Sequence, residues 1–155
     1  MLKSFQALAA EPDSALKPQA PNGRDVVQWL KQANTKLEDA SQPAISAGTR
    51  MDAAWDAVLM ACLAVACAEG WRATSEKGHH AVVLEGAVQA LGLGISRHDE
   101  LDTLRDWRNR KYRAGFVVEK TELDEALRWV TPFLADVAHW FGEHHSKLMK
   151  QGLAS

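Results

Sequence analysis

The densest charge in the chain lies between Arg105 and Arg113, where Arg105, Arg108, Arg110, Lys111 and Arg113 oppose only Asp106, a local charge of +4. The whole chain carries −2, so a polyanion would be drawn to this patch and not by a global field. Leu101, Leu104, Arg105, Arg108 and Tyr112 are related by steps of three and four, so on a helix Arg105 and Arg108 continue the stripe that Leu101 and Leu104 begin and reach the core margin. A guanidinium there is costly unless paired. Either carboxylates such as Asp102, Glu122 or Glu125 neutralise it, or Arg108, with Asn109 beside it, faces a groove and holds a phosphate or carboxylate through its planar fork. Tyr112 and Arg113 extend the candidate cleft.

Histidines are the other titratable candidates. His79 and His80 follow Gly78 at the start of a helix and point about 100° apart, so they do not clamp one metal together; one of them is a candidate to line the Arg108 cleft. His139, His144 and His145 contain no pair four apart, and His139 with Glu143 is a poor metal site, so no metal is expected. Of the six tryptophans, Trp55, Trp129 and Trp140 sit beside strong apolar positions and read as core or interface anchors. Trp107, among guanidinium groups, either packs on a neighbouring helix or stacks on a base.

These residues need elements to hold them. At 155 residues, 46% hydrophobic and 25% charged, the chain has the make-up of one globular domain, neither disordered nor collagen-like. Helical spacing predicts one helix from about Arg24 to Ser41 and a central apolar helix from about Thr49 to Glu69, stopped by Gly70. TSEKGHH opens a short third helix that ends at Gly92. A fourth helix, capped by Ser96 with Asp99, continues to about Arg113, and Thr121 with Asp124 starts a fifth that is kinked near Trp129 and loosened by Gly142. No stretch alternates like a strand. The expected class is all-α: an antiparallel up-and-down bundle of four long helices and a shorter one over residues 23–150, with residues 1–22, rich in proline, as a mobile arm. Cys62 and Cys67, five apart in one apolar helix, are expected as free thiols, which suits a reducing, cytoplasmic setting. The apolar run from Ala53 to Ala68 is too short for a membrane span, so no membrane association is expected.

The ordered set ANTKLEDASQ, TRMDAAWDAVLMACLAVACAEGWRA, KGHHAVVLEGAVQALGL, LRDWRNRKYRAGF and TELDEALRWV resembles HEPN domains, helical bundles of prokaryotic toxin-antitoxin and defence loci, over about Gln32 to Phe141. The resemblance implies a homodimer with the Arg108–Asn109 region at the dimer cleft. It also implies a nucleotide, RNA or a nucleotidyltransferase or other protein as partner, and no cofactor. Catalytic members carry an arginine, then four to six intervening residues, then a histidine. Here those places hold Arg113, Ala114 and Gly115, and Tyr112 stands four after Arg108. Arg113 stays protonated and Tyr112 has an ordinary pKa near 10, so neither replaces the histidine. The expectation is therefore a binding or interaction module that is not an enzyme. A divergent metal-independent ribonuclease using Tyr112, His79 or His80 is the alternative.

Overall fold

In the computed structural model, which describes residues 1–75 and 78–154 and of Lys111 the backbone alone, the chain is 72% helix. The elements run α1 (Phe5–Ala9), β1 (Leu16–Pro18), α2 (Gly23–Ala40), α3 (Ala47–Ala68), β2 (Trp71–Ala73), α4 (His79–Ala90), α5 (Ile95–Asn109), a 3₁₀ turn (Arg110–Tyr112), α6 (Lys120–His144) and α7 (Ser146–Ala154). Helix α3 organises the core because its sequence is apolar on nearly every side. Thirteen of its residues are buried, Trp55, Val58 and Cys62 completely, and it packs against α2, α4, α5, α6 and β2. Its many alanines favour helix and let neighbouring backbones approach closely. At 22 residues α3 is longer than the Ala53–Ala68 run read from sequence. It is apolar and long enough to cross a bilayer, but it is mostly buried within the fold.

The ends of the helices are held by local chemistry. Asn22 caps α2, its Oδ1 accepting from the Asp25 amide at 3.1 Å. At the other end Arg50 Nε donates to the Ala40 carbonyl at 2.9 Å, which ties the start of α3 to the end of α2. Two expected caps are corrected. Helix α5 starts from Gly94 with no side-chain cap, and α6 starts from Glu119, whose carboxylate and that of Glu122 form a capping box in place of Thr121 and Asp124. Gly142 does not interrupt α6, which runs through it to His144. One glycine costs about 1 kcal/mol, and burial of Trp140 and Phe141 beside it outweighs that. The nine-residue α7 that follows lies beyond the expected pattern.

Residues 1–22 pack into the domain and do not form an unpacked arm. Phe5 and Leu8 are buried, and α1 rests on α4. Strand β1 pairs antiparallel with β2, Leu16 opposite Ala73 and Pro18 opposite Trp71, and the Gln19 amide to Gly70 carbonyl bond of 2.9 Å extends the ladder. A three-residue strand has no readable period, and its partner lies some fifty residues away, so neither strand is visible locally. The polar loop expected before α4 includes Glu76 and Lys77, which lie outside the described residues.

Candidate functional site

Helix α5 and the 3₁₀ turn sort the basic cluster residue by residue. Arg105 Nε donates to Asp102 Oδ1 at 2.9 Å, three residues back on the same helix. Arg110 bonds Glu122 Oε2 at 2.6 Å, and its guanidinium lies over the rings of Trp107 and Phe116, 5.8 and 4.9 Å from their centroids. Burial would raise the Glu122 carboxyl, but the Arg110 hydrogen bond, the Glu119 amide and the Arg110 charge together hold it below the ordinary range. Glu125 serves Arg128. The expected neutralisation therefore holds for Arg105, while Glu122 goes to Arg110.

Arg108 is treated differently. Among the described residues its Nη1 donates to the Asn109 side chain alone, at 3.4 Å; its Nε is buried with no acceptor, as is that of Arg110, but Arg110 keeps a carboxylate through Nη2 and Arg108 has none. Among the described residues it makes no ion pair with a carboxylate. It lines a groove of ≈ 470 Å³ between the end of α5, the Phe116–Val118 segment and the first turns of α3. The α3 wall presents Ser46, Gly48 and Thr49. Ser46 does not cap the helix, because its Oγ bonds Thr49 Oγ1 at 3.0 Å instead of an amide. The first-turn amides and the positive end of the helix dipole thus add to the Arg108 charge. Asp52 lies about one turn further along the same wall, so the anion-favouring end is at Ser46–Thr49.

His80 belongs to the same electrostatic neighbourhood. Burial, then His79, Arg108 and Arg105, push its pKa down to about 4, so it is neutral at neutral pH. His79 and His80 are both half-buried, with their rings edge to face at 4.2 Å, and His80 also tilts against Trp55 at 5.9 Å. Neither histidine is among the groove residues, and the other sequence candidates also stand outside the groove lining. Asn109 ends α5, and Tyr112 and Arg113 are exposed, Tyr112 by 75%. The side chain of Lys111 lies outside the described residues. Trp107 is among the groove residues, and its ring is stacked on Trp129 at 5.2 Å and 28° with the Arg110 guanidinium over it at 5.8 Å, so it packs on the neighbouring helix. His139 pairs with Glu143 at 2.9 Å on the surface.

Sequence reasoning missed the contribution of the α3 N-terminus, for which the only signal was a serine one residue before a helix with no carboxylate in its first turn. Compared with known proteins, the chain matches no family model, no curated protein and no solved structure.

Proposed function

We propose that the chain is a non-catalytic HEPN-like binding module whose groove receives the phosphate of a nucleotide or an RNA through Arg108 and the start of α3. One observation carries this reading. Of Arg105, Arg108 and Arg110, only Arg108 lacks a carboxylate among the described residues, and it opens on a groove edged by helix amides. A partner carboxylate satisfies the same fork and is the competing occupant. In this reading α2, α3, α5 and α6 are the four long helices of an antiparallel up-and-down bundle, with α4 the shorter one. Two copies pair through the Arg108 face, and the free thiols Cys62 and Cys67 suit the cytoplasm.

The ribonuclease alternative draws on the nearness of His80 to Arg108. A base whose pKa is about 4 is a weak proton acceptor at neutral pH and an unpopulated acid, so general acid–base work by His80 is disfavoured. Calorimetry with AMP and a short single-stranded RNA, on wild type and Arg108→Ala, tests the binding reading. Saturable binding that the substitution removes supports it, and binding that survives the substitution refutes it. RNA cleavage in EDTA that Arg108→Ala abolishes would establish the ribonuclease instead. Light scattering on the same samples reads the dimer.

A further inference from the structure

Among the described residues, Trp29 and Trp71 are the two tryptophans that no ring contacts. Trp55, Trp107, Trp129 and Trp140 each meet another aromatic or imidazole ring, whereas among the described residues Trp29 and Trp71 meet none. Both are half-buried against the core, and both line one groove of ≈ 410 Å³ between α2, α3 and β2. This groove shares no residue with the Arg108 groove.

Its construction is legible in the helix. Asp25, Gln28, Trp29 and Gln32 stand at i, i+3, i+4 and i+7 on α2, a single stripe beside the core-facing Val26, Leu30 and Ala33. The opposite wall is β2, which the β1 pairing holds in place, with Trp71 opposite Pro18 and Gly70 turning the chain at φ +91°. Gln19, next to that pairing, joins the lining, to which α3 contributes the apolar Leu63, Ala66 and Cys67. None of the side chains of Gln19, Gln28, Gln32 and Arg72 is engaged in a hydrogen bond among the described residues.

These features select a class of ligand. Asp25 and Arg72 cancel, so the groove has no net charge with which to hold a phosphate. Gln28 and Gln32, about one turn apart on α2, present carboxamide donors and acceptors along one wall, the complement of the edge of a purine or pyrimidine, and Gln19 is a third carboxamide in the lining. Two indoles without ring partners supply stacking surface for a flat ring. The volume falls in the range of small-molecule sites. We propose that this groove binds an uncharged nucleobase or nucleoside, stacked on Trp29 or Trp71 and read along its edge by Gln28 and Gln32.

The test follows the indole Nε1–H resonances of the full chain during titration with adenosine, guanosine, cytidine and uridine, with Trp29 and Trp71 assigned by substitution. Saturable shifts confined to those two signals are expected for at least one nucleoside. Trp29→Leu and Trp71→Leu should each weaken that binding about fivefold or more. Because both indoles also pack on the core, Gln28→Ala together with Gln32→Ala, on the exposed edge, provides the second arm and should weaken binding with helical content unchanged. Arg108→Ala should bind the nucleoside as wild type does, which separates this groove from the phosphate site. The proposal is overturned if no nucleoside shifts the two indoles. It is also overturned if a neutral hexose or disaccharide shifts them and nucleosides do not, or if the glutamine variant binds undiminished.

Discussion

Arg108 and His80 make the central account testable at the scale of single residues. A guanidinium with a buried, unpaired Nε is not a stabilising group. Arg108→Ala should therefore leave stability unchanged or raise it by up to about 1 kcal/mol, while abolishing phosphate binding. Urea denaturation beside the calorimetry checks both halves. Arg108→Lys keeps the charge and loses the fork, so binding should fall without vanishing. Arg105, satisfied by Asp102 at a part-exposed site, should behave as a surface pair, and Arg105→Ala should cost less than about 1 kcal/mol.

The pKa of His80 is held at about 4 in the fold, below the 6.5 of an unperturbed imidazole, so between those values the unfolded chain binds more protons than the folded one. Stability must then fall as pH drops from about 6.5 toward 4. The depressed Glu122 carboxyl acts in the same direction at the acid end, since its favourable pairing with Arg110 is lost on protonation. Denaturation midpoints across this range should decline for wild type and decline less steeply for His80→Gln. A phosphate bound near Arg108 would offset the positive charge that depresses His80, so NMR titration of the imidazole should show its pKa rising when AMP is present.

At the scale of elements, α1 meets α4 through the Phe5 ring, with the buried Leu8 and the Lys3 amide to Glu85 bond beside it. Phe5 lies directly over Gly86, where a Cβ would come within 2.3 Å of the ring. Gly86→Ala should gain about 1 kcal/mol of helix propensity but lose more to the clash, a net destabilisation of about 1–2 kcal/mol by thermal unfolding. Combining it with Phe5→Leu should recover part of that loss if the contact is the cause. The α2–α7 contact is closer still, because a Cβ at Gly152 would stand 2.1 Å from the Gly23 carbonyl oxygen. Backbone meets backbone there, so Gly152→Ala should displace α7, seen as increased amide exchange across Ser146–Ala154.

The helices α2 to α6 could be read in the sequence because each repeats apolar residues at helical spacing, over many turns in α3 and α6 and at Leu101 and Leu104 in α5, and their ends fall within a few residues of the glycines and prolines that mark them. Helix α1, the β1–β2 pair and α7 could not, because what holds them is distant. Phe5 needs Gly86, Pro18 needs Trp71, and Gly152 needs Gly23, and no local window contains both partners. The site was half legible for the same reason. Charge density located the arginines, but which of them would find a carboxylate depended on how the 3₁₀ turn brings Arg110 onto Glu122. The Trp29 groove left a signal in sequence, a polar and aromatic stripe beside the core stripe of α2, whose meaning depends on β2 facing it.

For the whole molecule, Arg97, Arg105, Arg110 and Arg128 are paired with carboxylates within the helical scaffold, and in the proposed function Arg108, which makes no such pair among the described residues, is left for a ligand. Net charge gives no help with capture, so phosphate binding must be local, and it should weaken with added salt less than the binding of a protein held by many backbone contacts does. The most direct measurement is the spectrum of arginine Nε–H groups in the ¹⁵N-labelled chain during titration with AMP. The expected result is a saturable shift of the Arg108 signal, with the Arg105 signal unmoved because its Nε–H already donates to Asp102, and the Arg110 signal unmoved because its guanidinium is tied to Glu122 through Nη2 and is not among the groove residues. An Arg108 signal that stays in place, or arginine signals that all drift together with ionic strength, would contradict it.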